Sequence, residues 1–313
     1  MIISASRRTD IPAFYSDWFF NRLKEGYVLV RNPMNIHQIS RILLTPDMVD
    51  CFVFWTKNPA QMISSHIREL KGLKTPFYFQ FTVNSYGRRI EHDVPSEGEI
   101  ISTFARLSDE IGSKCVIWRY DPIIITNECD IDYHCRVFKR ISHSLKGYTK
   151  KCVISFVDIY KKNVSNIQSI NPISPSKEQI RELCGCLSEI ASESGIKLVT
   201  CAENIDLSEM GIDHGKCIDP ELISSLCGGR VRAKKDKNQR NECGCIESID
   251  IGAYNTCGHG CIYCYANYSE AVVKKQSLLH NPRSPLLWGE VGDNDTIVDR
   301  EMTSLVDRQG YLF

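Results

Sequence analysis

The sequence predicts an α/β fold, a (β/α)8 TIM-type barrel, on three observations. Short apolar runs begin near residues 2, 28, 51, 77, 115, 152, 197 and 249, and stretches with helical spacing of apolar residues separate them. Strands alternating with helices imply parallel pairing through right-handed crossovers, and eight strands close such a barrel. The G-x-G-x-x-G turn of an open dinucleotide-binding sheet is absent after the first strand, and 313 residues leave room for a barrel of roughly 250 residues with additions. The expected organisation is a barrel over 1–270, with a cysteine-rich insertion at 205–248 and a cysteine loop at 250–267. A tail at 271–313 packs on it.

Residues 2–5 (IISA) form the first strand, and Ser6-Arg7-Arg8-Thr9-Asp10 the loop that leaves it. Thr9 or Asp10 can cap the following helix, which carries Phe14, Trp18, Phe19 and Leu23 on one face, with Pro12 where a missing N–H costs nothing. YVLVRNP at 27–33 reads as the second strand and Ile36 to Leu44 as a helix. CFVFWTKNP at 51–59 is a strand and its exit; the helix with Ile63, Ile67 and Leu70 stops at Gly72. FYFQFTVN at 77–84 precedes a helix with Ile100, Phe104, Leu107 and Ile111, ended by Gly112. CVIWRYDP at 115–122 leads to a helix through Phe138, Ile141 and Leu145 to Gly147. After CVISFVD at 152–158 comes a connection, then a helix with Ile180, Leu183, Leu187 and Ile190 before Gly195. KLVTCAEN at 197–204 is the seventh strand, and the eighth begins near 249. YSEAVVKKQSLL, after Asn267, has helical character and opens a tail that packs over the barrel or lids its mouth.

Charge is balanced, 38 basic against 38 acidic residues, which argues against a chain that coats nucleic acid or a membrane surface. The run from Arg230 to Arg240 still places six cations in eleven residues. It reads as a solvated loop, a phosphate-tracking groove for nucleic acid, or cationic surroundings for an anionic thiolate cluster. The N-terminal MIISASRRTDIPAFY has no apolar export region, and no run of about 18 apolar residues occurs, so a cytoplasmic protein with no membrane partner is expected. In a reducing compartment, 15 cysteines point to metal binding or catalysis rather than disulfides.

Chemistry in a parallel barrel sits where the strands end. Here the strands run into Arg7-Arg8-Thr9-Asp10, Arg31-Asn32, Thr56-Lys57-Asn58, Thr82 and Asn84, Arg119 and Asp121, Asp158 with Lys161, and Glu203-Asn204. For any one of these a helix cap or loop ion pair is the competing reading; the set describes a polar, mixed-charge cup. The eighth strand runs into Cys257, Cys261 and Cys264, a C-x3-C-x2-C array with Tyr263 beside its last thiol. Gly258 and Gly260 bend the segment back on itself. Three thiolates so close together select a soft metal. A 4Fe–4S cluster takes four cysteines, so three imply a distant fourth ligand or an iron left open. A structural zinc site or a redox thiol cluster is the alternative.

Cys201, Cys217, Cys243 and Cys245 supply four further thiolates, one cluster's worth, with Cys201 at the end of the seventh strand and the others in the insertion. A second iron–sulfur cluster, a zinc site and isolated thiols stand as alternatives. Cys51, Cys115 and Cys152 begin strands and Cys184 lies on an apolar helix stripe, which suits core packing. Cys129, Cys135, Cys186 and Cys227 have no assigned role. His259 reads as a solvent-facing loop residue that can otherwise cover the array.

RRTDIPAFY, FWTKNP, RYDP, CAEN, NQRNECGC, DIGAY and the terminal C-x3-C-x2-CYA together resemble the DUF1848 family through most of the chain. The array by itself resembles the radical S-adenosylmethionine (SAM) superfamily, whose C-x3-C-x-aromatic-C binds three irons while SAM chelates the fourth. That resemblance implies a 4Fe–4S cluster on Cys257, Cys261 and Cys264. It also implies SAM cleavage to methionine and a 5'-deoxyadenosyl radical, which abstracts hydrogen from a substrate the sequence does not identify. A reductant such as a flavodoxin or ferredoxin would supply the electron. In the superfamily the array follows the first strand, whereas here it follows the last, as in a circular permutation of the barrel. The loop Ser6 to Asp10 then occupies the place of the superfamily's Gly-Gly-Glu segment, which is missing. Tyr263, Arg7, Arg8, Asp10, Arg119, Asp121 and Glu203 are the candidate cofactor contacts. Arg119-Tyr-Asp-Pro also resembles segments of spore photoproduct lyase-like enzymes, pointing to nucleic acid as a substrate class. A non-catalytic or electron-transferring iron–sulfur protein, able to bind nucleic acid through 230–240, and a zinc-stabilised module are the alternatives.

Overall fold

The computed structural model describes residues 1–159 and 164–307; Lys161 lies outside them. Eight parallel strands form one sheet. In spatial order they are β11 (Ile249–Asp250), β1 (Ile2–Ala5), β4 (Cys51–Thr56), β5 (Phe77–Thr82), β6 (Val116–Ile123), β7 (Lys151–Phe156), β8 (Lys197–Thr200) and β9 (Asp213–His214). Seven are the expected strands, and the last in sequence pairs with the first, Ile3 opposite Ile249 and Ser4 opposite Asp250. The order is that of a barrel. Among the described residues, however, the outer strands β9 and β11 do not pair with each other, so the sheet is not shown to close.

Two expectations near residue 30 fail together. Residues 27–33 do not enter the main sheet: β2 (Tyr27–Asn32) pairs antiparallel with β3 (Asn35–Leu43), in the stretch expected to be helical. Ile36, Ile39 and Ile42 at intervals of three imitate a helix stripe, but β-branched side chains suit a strand equally well. A turn at Pro33-Met34 folds the segment back as a hairpin. The tail then adds β12 (Thr296–Asp299) parallel to β3. The eighth place in the main sheet falls to β9, from the stretch expected to break the strand–helix rhythm.

The helices follow their apolar spacing more closely. α1 (Ile11–Phe14) is capped by Asp10, whose carboxylate accepts the Ala13 N–H, and α2 (Ser16–Glu25) follows after a break at Tyr15. α3 (Ala60–Lys71), α4 (Glu97–Ile111), α5 (Ile131–Ser144) and α7 (Lys177–Glu193) lie where expected. α6 (Val164–Gln168), α8 (Pro220–Cys227) and α9 (Glu270–Leu278) complete the helices, and β10 (Arg230–Val231) pairs with β13 (Val306–Asp307) in the tail. Cys184 is buried in the core as expected, while Cys135 on α5 and Cys186 on α7 are joined as a disulfide.

Period-two alternation gives the sheet two faces. Ile3, Phe52, Phe54, Phe79, Phe81, Trp118 and Ile154 face the helices and form the main core. Ile2, Val53, Tyr78, Ile117, Val153 and Val199 face the other way. They pack against Cys217, Ile218, Ile223, Cys245 and Ile246 of the cysteine-rich insertion. The insertion is thus not a peripheral loop. It fills the N-terminal end of the sheet's inner face and leaves the C-terminal end open.

The tail runs along the outside. Trp18 donates its indole N–H to the carbonyl of Ser284 at 3.0 Å, and the amide of Leu29 donates to that of Pro285 at 2.9 Å. Among the described residues, nothing beyond Ala266 lines the mouth of the sheet.

A cysteine-lined cavity at the strand ends

The same alternation, carried to the C-terminal ends, builds a cavity of about 560 Å³. Each strand that starts inward with an apolar residue continues inward with a polar one: Val53, Trp55 and Lys57 on β4 and its exit, Ile117, Arg119 and Asp121 on β6, Val199 and Cys201 on β8 and its exit. The cavity walls include both cysteine groups, Cys257, Cys261 and Cys264 on one side and Cys201, Cys217, Cys243 and Cys245 on the other.

Asp250, last residue of β11, locks the array's strand to the N-terminal loop. One oxygen accepts from Ser6 Oγ at 2.6 Å and the Gly252 amide at 3.0 Å; the other accepts from Ser4 Oγ at 2.7 Å and the Arg7 amide at 2.8 Å. Gly252 is needed here because a Cβ would stand 2.1 Å from Ser6 Oγ. Asp10 makes the second tie. Its carboxylate accepts from the Lys57 amide at 2.7 Å, caps α1 through Ala13 and meets His259 Nε2 at 2.8 Å. His259 is therefore not solvent-facing: it is 3% exposed and clasps the array loop to the N-terminal loop. Asp10 lines the cavity, but its oxygens are engaged within the chain.

A third tie turns on Glu91, which the sequence did not mark. Glu91 bridges to Cys261 as an isolated antiparallel pair, and the Ile262 amide donates to the carbonyl of Ile90 at 2.9 Å. Glu91 is buried. It accepts from Lys57 Nζ at 2.7 Å and from the Tyr263 hydroxyl, with Asn84 Nδ2 at 3.4 Å. Burial is the largest single influence and opposes both charges, but the partner's charge and the hydrogen bonds around the pair together outweigh it, so the Glu91 pKa is lowered and that of Lys57 raised. The charged strand exit Thr56-Lys57-Asn58 pointed to Lys57; nothing local in the sequence marked Glu91. Gly260 turns the array loop at φ +61°, where a side chain is strained.

The three array thiols are pushed above the ordinary thiol range, chiefly by burial. Two of them are opposed in this by backbone amides, Cys257 by that of His259 and Cys264 by those of Ala266 and Asn267. Such thiols stay protonated unless a metal displaces the proton.

The other four cysteines share the cavity wall. Cys201 Sγ lies 3.3 Å from Cys217 Sγ, and Cys245 Sγ accepts the Cys217 amide at 3.2 Å. Interactions among the four thiols push Cys217 well below the ordinary range and Cys243 down to about 6, while Cys201 and Cys245 go up. Arg119 Nη1 donates to Cys217 Sγ at 2.8 Å; its Nε and Nη2 hold Asp121 at 3.0 and 2.5 Å. Ser155 Oγ donates to the other oxygen of Asp121. Arg7 lies over the Trp55 ring, its carbonyl accepts from Tyr265, and its Nη2 is buried without a partner. Arg8 lies over Tyr254, at 3.9 Å from Asp250.

Six of the seven candidate cofactor contacts thus line one cavity. Glu203 does not: burial raises its pKa, and its Oε1 accepts the Phe156 amide at 2.8 Å, fastening the end of β7 from outside. Part of the basic run is paired within the chain, Arg232 with Asp307 at 2.8 Å and Arg240 with Asp158. Among the described residues, no group of three or more His, Cys, Asp or Glu side chains stands ready to hold a single metal ion. A cubane takes one thiolate at each corner iron, so its ligands stand apart instead of converging on a point.

Fold and site together define an α/β protein with a cysteine-walled cavity at the carboxyl ends of eight parallel strands. The chain belongs to the DUF1848 family, a domain of unknown function, whose model matches residues 2–266. No curated protein matches it. Among solved structures, a provisionally assigned alpha-L-fucosidase from Bacteroides thetaiotaomicron is similar at 10% identity. It covers 72% of this chain and 80% of its own, with a TM-score of 0.27, a likeness too low to carry an argument. No helix among the described residues is long and apolar enough to cross a membrane.

Proposed function

We propose that the cavity is the active site of a radical SAM-type enzyme, with a 4Fe–4S cluster held by Cys257, Cys261 and Cys264. The observation that carries this reading is the meeting of these three half-buried thiols on the wall of a polar cavity beside the Ser6–Asp10 loop. The donor set fits: soft thiolates suit iron–sulfur clusters, and three of them leave one iron for a bound nucleotide. When bound and reduced, the cluster would supply the electron that cleaves SAM and starts hydrogen abstraction.

The chain's own residues bind, orient and shield. Arg7 brings a buried guanidinium N–H with no partner to the cavity wall, a donor suited to a carboxylate. His259 and Asp10 fasten the array loop on one side, and Lys57, Glu91 and Tyr263 fasten it on the other. Arg119 and Asp121 line the same cavity, where a substrate would meet paired donors and acceptors.

The test is anaerobic reconstitution with iron and sulfide, reduction with SAM present, and assay of 5'-deoxyadenosine. Formation is expected in the native chain and loss in Cys257→Ala, Cys261→Ala and Cys264→Ala. An intact cluster that yields no 5'-deoxyadenosine, or full iron and cleavage in all three variants, overturns the reading.

A further inference from the structure

We propose that Cys201, Cys217, Cys243 and Cys245 form a second metal centre, a four-thiolate site for a soft metal, separate from the array and independent of its assignment. The four residues come from three stretches: the end of β8, the segment after β9, and the approach to β11. Folding nevertheless gathers all four on the wall of one cavity, with the Cys201 and Cys217 sulfurs 3.3 Å apart and Cys245 Sγ 3.2 Å from the Cys217 amide nitrogen. Cys217, Cys243 and Cys245 are buried, so this is no chance encounter of surface thiols.

The surroundings are those of an anionic sulfur centre. Cys245 Sγ accepts two backbone amides, from Cys217 at 3.2 Å and Ile218 at 3.3 Å. Arg119, itself buried, donates to Cys217 Sγ at 2.8 Å. The Cys217 backbone is fixed as well, its carbonyl accepting from Tyr78 at 2.6 Å and Gln80 at 2.9 Å. Two adjacent thiols would suffice for a disulfide; a buried guanidinium and two amides aimed at these sulfurs are more than neutral thiols need.

Loading exchanges S–H···S contacts for metal–sulfur bonds. Each thiol that still carries a proton releases it to solvent, and Arg119 and the two amides offset part of the remaining negative charge. The four sulfurs do not converge on one point without a metal; drawn in by it they complete a tetrahedral ion or a cubane, so this centre has no open position and does not bind substrate. Its place in the fold gives it work to do. β9 and β11 are the unpaired edges of the sheet, and a metal joining Cys201 and Cys217 to Cys243 and Cys245 ties one edge to the other. If the metal is an iron–sulfur cluster, it also stands on the cavity wall as an electron carrier.

The test uses the full chain with Cys257, Cys261 and Cys264 all changed to Ala, purified anaerobically, which removes the array from the count. It is expected to retain either about four irons with sulfide or about one zinc. Iron with sulfide identifies a cluster and zinc a structural ion; both support the centre. Adding Cys243→Ser and Cys245→Ser is expected to release that metal. X-ray absorption on the triple variant provides a check that needs no further substitution: an all-sulfur first shell, at about 2.3 Å for zinc, is expected. A triple variant without stoichiometric metal, a first shell of nitrogen or oxygen, or metal retained after loss of Cys243 and Cys245 overturns the proposal. Failure of SAM cleavage in the native chain leaves these counts unchanged, so the two proposals fail separately.

Discussion

Removing one charge from the Lys57–Glu91 pair should cost far more than removing both. The two side chains are only 14% and 5% exposed, and their contact is 2.7 Å. At that burial, a partner left alone keeps an uncompensated charge in a poor solvent, which costs about 3–5 kcal/mol. Glu91→Gln keeps the acceptor for Tyr263 and Asn84 and removes only the charge; Lys57→Met removes the other. Each single variant should lose about 3–5 kcal/mol, whereas the double variant leaves no charge and should fall about 3 kcal/mol or more short of the sum. Urea unfolding of the metal-free chain at pH 7 reads this as shifts of midpoint at constant slope. The pH dependence follows from the directions of the shifts. The lowered Glu91 contributes stability that is full above about pH 4.3 and is lost as pH falls through its lower folded value. The raised Lys57 contributes below about pH 10.4 and is lost as pH rises through its higher folded value. Additive single effects within about 0.5 kcal/mol, or losses below about 1 kcal/mol as for an exposed pair, would refute the reasoning.

Gly252→Ala should destabilise by about 1–3 kcal/mol, because the new Cβ meets Ser6 Oγ at 2.1 Å and Ser6 cannot turn away without releasing Asp250; thermal unfolding checks it. Asp250→Ala leaves two hydroxyls and two amides without their acceptor, and is expected to cost about 2–4 kcal/mol and to lower iron uptake at the array. His134 is buried between the Tyr120 hydroxyl and the Ile124 carbonyl, and burial holds its pKa down to about 4. The unfolded chain therefore binds the extra proton first. Stability should fall as pH drops from about 6.5 toward 4, and His134→Gln should flatten that part of a urea-midpoint profile.

Most strands and helices were legible because local pattern and tertiary role agree there. The apolar runs at 51, 77, 115 and 152 are buried strands, and Asp10 caps its helix as its position demands. Disagreement came where one pattern suits two structures. Isoleucines spaced by three at 36–42 fit a helix or a strand, and the choice fell to backbone pairing with β2 and β12, the latter from a stretch more than 250 residues away.

For the site, the sequence by itself determined which residue types are present and in what order: three thiols in one short loop, a charged exit on nearly every strand, and a last strand placed to meet the first. The tertiary structure alone decided their partners. Pairing of β11 with β1 laid the array against the N-terminal loop and turned His259 inward onto Asp10. Docking of the insertion against the inner face of the sheet brought Cys201, Cys217, Cys243 and Cys245 together and set Arg119 on them. Glu91 became part of the array's support although nothing around it in sequence marks it. The physical reason is common to all three. Spacing along a chain records what one element can present on its own faces, whereas these contacts are made between elements, where burial and charge pairing act across the fold.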